Sequence, residues 1–144
     1  YTNRLIESDL KVNSTLTEPT AGKQMPDTPK LMAAIALSYK EGPVFGQITA
    51  KHTGKAFSTL VNDQVMDAYA LLNLTVGYRL PETAFFKAPE IRLNIDNWTN
   101  TEYKRISSPS GSSFTTRSVG TGASTVFYNI GAPRFTSVTL RSDF

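Results

Sequence analysis

Apolar and polar residues alternate along much of this chain with the two-residue period of a strand that has one greasy and one wet side. The clearest run is 67–80. There Ala70, Leu72, Leu74, Val76, Tyr78 and Leu80 form one unbroken apolar face against Asn73, Thr75, Gly77 and Arg79, with Tyr69 and Leu71 nearer the preceding loop. Residues 31–40 set Ala33, Ile35, Leu37 and Tyr39 against Met32, Ala34, Ala36 and Ser38. Small residues in the second set suit the wall of a lumen; a helix packed on a sheet would need more bulk. Glu41-Gly42-Pro43 predicts a tight turn. Residues 44–53 then return with Val44, Gly46, Ile48, Ala50 and His52 on one face and Phe45, Gln47, Thr49, Lys51 and Thr53 on the other. The stretch 31–53 is therefore a predicted hairpin. Residues 91–105 open with Ile91, Leu93 and Ile95 alternating against Arg92, Asn94 and Asp96. The last stretch, 134–144, puts Thr136, Val138, Leu140, Ser142 and Phe144 on its apolar side and Phe135, Ser137, Thr139, Arg141 and Asp143 on the other. Residues 1–12 alternate only from Ser8 on; they read as a strand, with a helical turn as the alternative.

The connections differ in length in an ordered way. Prolines 19, 26 and 29, with Gly22 and a run of Asn, Ser and Thr, make 13–30 a loop. Residues 54–66 are a second irregular stretch, and 106–133, rich in Ser, Gly and Thr, is the longest. The turn at Gly42 and the one at 81–90, bounded by Pro81 and Pro89, are short. The expected fold is all-β, an antiparallel up-and-down meander of about six strands. Alternate connections of a meander lie on the same side, so all long loops emerge on one rim and all short turns on the other. That segregation marks outer-membrane barrels, whose short turns are periplasmic and long loops extracellular. The greasy side of 134–144 then faces lipid, and that stretch becomes a barrel-closing strand.

Composition narrows the function classes. The chain has 144 residues, a formal net charge of +3, no cysteine and one histidine. Its Lys and Arg are scattered, where a nucleic-acid footprint needs a basic stripe, so no nucleic-acid partner is expected. Without cysteine there is no disulfide framework, thiolate metal site or cysteine nucleophile. The longest apolar run, Leu31 to Leu37, is far short of the roughly 18–20 residues of a transmembrane helix. Membrane strands escape that test because lipid-facing and lumen-facing residues average out. The opening Tyr1-Thr2-Asn3-Arg4 carries neither methionine nor signal peptide, and the chain is expected to start inside a longer protein.

Several short motifs resemble one family. Ile91-Arg92-Leu93-Asn94-Ile95-Asp96-Asn97-Trp98-Thr99-Asn100-Thr101-Glu102-Tyr103 resembles the penultimate-strand signature of TonB-dependent outer-membrane receptors. Tyr128 to Arg134, followed by a strand to Phe144, looks like the closing strand of that family. Gly22-Lys23-Gln24-Met25-Pro26-Asp27-Thr28-Pro29-Lys30 is similar to the family's lead into a strand, and Gly54-Lys55 followed by Asn62-Asp63 also fits. Two positions depart from the pattern: Trp98 stands where Leu or Phe is commoner, and Ser142 where an aromatic is common. The resemblance implies the C-terminal part of a barrel of about 22 strands around a plugged lumen, with the plug and earlier strands outside this chain. It implies a multi-pass protein of the cell outer membrane that takes up a scarce solute, a ferric siderophore first, with carbohydrate or cobalamin as alternatives. The implied partners are outer-membrane lipid and lipopolysaccharide, TonB through the missing N-terminal part, and a small-molecule or metal-chelate ligand. The barrel-assembly machinery would read Thr136, Val138, Leu140, Ser142 and Phe144 as the C-terminal assembly signal.

No constellation for chemistry accompanies this, so no enzyme and no cofactor are expected. His52 stands alone, whereas triads and most zinc sites need a histidine held by a second group. Asp27, Asp63 and Asp67 match no calcium-loop spacing. The serine-rich 107–113 suits sugar or metal-chelate contacts, but reads first as an ordinary loop. Arg79, Arg92 and Asp96 face the predicted lumen as an ion network within the wall or toward a plug. Lys23, Lys55, Lys104 and Arg105 fall at outer strand ends, against lipopolysaccharide or solvent. Trp98 and Tyr103 suit an aromatic girdle, although Trp98 has the parity of the polar face. A second function class stays open at this point: a soluble antiparallel β domain that binds a glycan or protein through its long loops.

Overall fold

The structure is a computed structural model describing residues 1–11, 13–83, 85–106, 118–119, 122–123 and 127–143. Every regular element among them is β. Five long strands form one sheet: β1 (Met32–Glu41), β2 (Val44–Thr53), β3 (Tyr69–Arg79), β4 (Lys87–Asp96) and β5 (Phe135–Asp143). They pair in chain order, as an up-and-down meander requires. Val44–Thr53 and Phe135–Asp143 are rich in β-branched and aromatic residues, which suits a pleated surface. The chain divides into two compact units. The second, Ala33–His52, Ala70–Glu102 and Ala132–Phe144, carries nearly all of this sheet.

Register fixes the faces. Val76 lies opposite Leu93, and Leu93 opposite Val138; Tyr78, Ile91 and Leu140 form the next row but one. Leu74, Ile95 and Thr136 complete that side. The rows between are polar: Thr75–Asn94–Ser137, Gly77–Arg92–Thr139 and Arg79–Glu90–Arg141. Since side chains alternate strictly, one face is mostly apolar and the other mostly polar across three strands.

The pairing shifts by one residue between Arg141 and Asp143, where Asp143 comes to face Lys87. On β4 two residues, Ala88 and Pro89, therefore stand against Ser142 alone, and Ala88 has a positive φ of 47°. This is a β-bulge, which also explains how a proline fits inside a strand. The turn predicted over 81–90 is shorter than expected, because the strand begins at Lys87. Asp96 ends the same strand early, well short of 105, because Asn97 and Asn100 turn into the left-handed region at φ 49° and 54°.

The first unit, Tyr1–Met32, Thr53–Tyr69 and Tyr103–Gly131, is loop-rich. Residues 1–12 do not form the expected strand. Only Leu10–Lys11 pairs with Thr17–Glu18, and Leu5 bridges Gln24; Val12 lies outside the described residues. The remaining backbone bonds run irregularly to the following loop, with Ile6 N donating to Lys23 O at 2.8 Å and Thr2 N to Lys30 O at 2.9 Å. Pro26 and Pro29 have no N–H to give, so this ladder cannot become a regular sheet. Two predicted loops carry short pairings of their own: Ala56–Phe57 with Val65–Met66, and Lys104–Ile106 with Tyr128–Ile130. The buried hydrophobics among the described residues are Ala56, Val61 and Met66, all of this first unit. Among the described residues no hydrophobic side chain of the five-stranded sheet is buried.

Candidate functional site

The sheet's apolar face is the first functional feature. Leu37 is 62% exposed, Val138 62% and Leu140 74%, and Tyr39, Val76, Tyr78, Ile91 and Leu93 are exposed with them. A contiguous greasy surface of this kind on an independent soluble domain would promote aggregation; it needs lipid or a partner over it. Within it, a shallow depression of about 410 Å³ opens beside Gly46 between β1 and β3, lined by Leu37, Tyr39, Ile48, Leu74, Val76 and Trp98 among others. Trp98 thus joins the apolar side. The left-handed Asn97 breaks the strand just before it and resets the parity that had placed it with the polar face.

The opposite face is wet and cross-linked. Thr75 Oγ1 donates to Asn94 Oδ1 at 3.2 Å, Asn94 Nδ2 to Thr139 Oγ1 at 3.4 Å, and Gln47 Nε2 to Ser38 Oγ at 3.3 Å. Near the short turns the face becomes cationic. The Phe45 ring covers Gly77, where even a Cβ would stand 2.1 Å from ring Cζ. An aromatic laid over a strand glycine in this way fills the gap the glycine leaves. The guanidinium carbons of Arg79 and Arg92 sit 5.0 and 5.3 Å from the same ring's centroid, within cation–π range. Arg92 Nη2 also pairs with Glu90 Oε1 at 2.6 Å. The sequence alone names Arg79 and Arg92 as lumen-facing and puts Phe45 and Arg141 on the polar sides of their own strands; it leaves Glu90 in a turn and does not bring the five together. The available signal was an aromatic of polar-face parity facing a glycine on the next strand.

The third feature is a turn that holds the last strand. Buried Asn97 donates from Nδ2 to Thr101 O and Ala132 O, both at 2.9 Å, and accepts from Thr101 N at 2.9 Å. Its own N–H donates to Asn73 Oδ1 at 3.0 Å. Asn100 Oδ1 accepts from Arg134 N at 2.9 Å. Both asparagines tolerate the left-handed backbone, and their side chains clamp the residues just ahead of β5.

A comparable clamp operates in the first unit. Asn62, at φ 59°, accepts from Gln24 N at 2.7 Å and donates to Gln24 O at 2.8 Å. Thr59, fully buried, donates to Asp63 Oδ1 at 2.6 Å. Tyr103 stacks on Tyr69 with centroids 4.4 Å apart, and its ring fills the space over Gly131. Of the residues that carried the resemblance, Asn62, Asp63, Asn97, Asn100 and Tyr103 are therefore fasteners of loops. Among the described residues no group of three or more His, Asp or Glu could hold a metal ion.

A family model described as TonB dependent receptor-like, beta-barrel matches residues 1–97. The chain belongs to that family. A search of curated proteins returned no match. Membership makes the chain a segment of an outer-membrane transporter and receptor. The soluble alternative does not survive it.

The receptor segment distributes the remaining candidate residues plainly. Thr136, Val138 and Leu140 lie on the apolar side opposite Ile95, Leu93 and Ile91. Ser142 sits against the bulge, its Oγ 3.2 Å from Asp143 O and 3.5 Å from Lys87 O. Phe144 and the serine-rich 107–113 lie outside the described residues. Asp96 is in register with Phe135, at the opposite end of the polar face from Arg79. Lys55 stands 5.6 Å over the Phe57 ring, while Lys104 and Arg105 are exposed on their short pairing with Tyr128–Ile130. His52 is half-buried near the end of β2. The matched span stops at Asn97, so the closing-strand motif rests on residues beyond it.

Proposed function

We propose that this chain is the C-terminal wall of a TonB-dependent transporter that takes up a scarce solute, a ferric siderophore in the first instance. The supporting observation is the sheet itself: one face mostly apolar and largely exposed, as a lipid-facing side would be, the other mostly polar and cross-linked by hydrogen bonds. Five strands cannot close a barrel, the smallest of which have about eight, so further strands of a larger wall would flank β1 and β5. In the complete receptor that wall would number about 22 strands around a plug. The loops 13–30, 54–66 and 106–133 would help capture the ligand outside the cell. TonB would act through the N-terminal part, and basic residues such as Lys55, Lys104 and Arg105 would meet lipopolysaccharide.

The test is uptake by a receptor-deletion strain. Loss of growth on one ferric siderophore as sole iron source, restored by the full gene, is the expected result. Unchanged growth on every siderophore tried rejects iron as the cargo, and parallel carbohydrate and cobalamin uptake assays then separate the other two.

The terminal residues would serve assembly. Thr136, Val138, Leu140, Ser142 and Phe144 would be read by the barrel-assembly machinery as β5 joins the wall. Deleting Phe144 from the full receptor is expected to lower the amount of heat-modifiable barrel and its surface exposure several-fold. Undiminished folded receptor at the surface would sink this role.

A further inference from the structure

We propose that Arg79, Arg92 and Arg141 form a carboxylate-binding seat on the polar face, at the end of the sheet that carries the short turns. The proposal rests on the reading of that face as the barrel lumen. Register sets the cluster: Arg79 and Arg141 both stand directly opposite Glu90, and Arg92 lies opposite Gly77 one step along. On β3, β4 and β5 these rows set three guanidinium groups against one carboxylate among the described residues, an excess of two positive charges. The next charged pair toward the turn, Lys87 opposite Asp143, is neutral in sum. Glu82, in the turn, accepts a backbone bond from Ala88 N at 3.3 Å.

The guanidinium groups are also held in place. Arg79 and Arg92 lie on the Phe45 ring, and the ring is fixed by the absence of a side chain at Gly77. Arg92 spends one Nη2 donor on Glu90, and its buried Nε has no hydrogen-bond acceptor among the described residues. Arg79 and Arg141 are exposed on this face. A guanidinium offers five donors in a rigid fork that fits a carboxylate bidentately, and a stacked guanidinium loses little freedom on binding one. Like charges gathered on a wall and held by an aromatic are stabilised when an anion joins them.

The carboxylate has two sources: an acidic side chain of polypeptide lodged in the lumen, or a soluble carboxylate solute. Both are tested on the full receptor purified in detergent, as wild type, R79Q/R141Q and R79K/R141K. These variants leave the Arg92–Glu90 pair intact, and heat-modifiable mobility reports that each barrel is folded. Citrate binding by equilibrium dialysis and the rate of protease cleavage of the lumen-filling polypeptide are measured on all three. Saturable citrate binding weakened roughly tenfold in the glutamine variant assigns the seat to a solute. No citrate binding by wild type, with cleavage accelerated roughly tenfold in the glutamine variant and less in the lysine variant, assigns it to an internal carboxylate. Equal binding and equal cleavage in all three proteins overturns the seat.

Discussion

Leu93→Arg is expected to destabilise the membrane-inserted receptor by about 2–4 kcal/mol, the depth-dependent cost of an arginine on a barrel's lipid face near the bilayer midplane. Leu93 is the middle residue of the row Val76–Leu93–Val138, with apolar rows on either side, so its side chain has no route to water through a neighbour. The matched control is Ser137→Arg, one strand away on the opposite face, where the row is Thr75–Asn94–Ser137. That substitution points a cation at the polar side and is expected to cost less than about 1 kcal/mol. Equilibrium folding of the full receptor into lipid vesicles across a denaturant series measures both. A larger cost at Ser137 than at Leu93 would mean that the faces have been assigned the wrong way round, and equal costs would mean that neither face meets lipid. The comparison is sharp because the residues are near neighbours in the sheet; strand parity alone separates them.

Strand parity is also what made so much of this fold readable in advance. Val44–Thr53 forms the strand that its alternation predicts, residue for residue, and the Gly42 turn falls where Gly and Pro sit together. The apolar and polar sets that the sequence divides appear on the two faces over 74–79, 91–96 and 135–141. Periodicity is a local property, and a sheet exposed on one side preserves it. The failures have equally local causes. Alternation in 1–12 could not reveal that its hydrogen-bond partner would be a proline-interrupted loop, which leaves bridges instead of a strand. Pro89 looked like the end of a turn because proline normally stays out of sheets, and only a bulge admits it. Trp98 was assigned by counting twos through Asn97, where a left-handed residue makes that count invalid. The cationic cluster was half visible: alternation put Arg79 and Arg92 on one face. That Phe45 would lie over Gly77 between them depends on which strands become neighbours, and alternation carries no such information.

The asparagine turn gives the second large effect. Asn97→Ala is expected to destabilise the receptor by roughly 2–4 kcal/mol, from the loss of buried hydrogen bonds and the strain of alanine in the left-handed region. The side chain makes three bonds at 2.9 Å, and one of them reaches Ala132 just ahead of the last strand. With it gone, Thr101 N, Thr101 O and Ala132 O lose their partner in a site where Asn97 itself is 5% exposed. Asn97→Gly separates the two causes. Glycine accepts the φ of 49° without strain, so it is expected to recover about 1 kcal/mol of the alanine loss and no more. Asn97→Asp is the more telling change, because it preserves shape and the bond from Thr101 N. It replaces the donating amide with an oxygen that faces two carbonyls, and it is expected to cost at least as much as alanine. Protease susceptibility of the last strand, alongside denaturant unfolding, reads out the series. An aspartate variant as stable as wild type would show that the amide does not hold β5. The expected order, with glycine mildest and aspartate no better than alanine, follows from a donor that ties the penultimate strand's turn to the chain leading into the last strand.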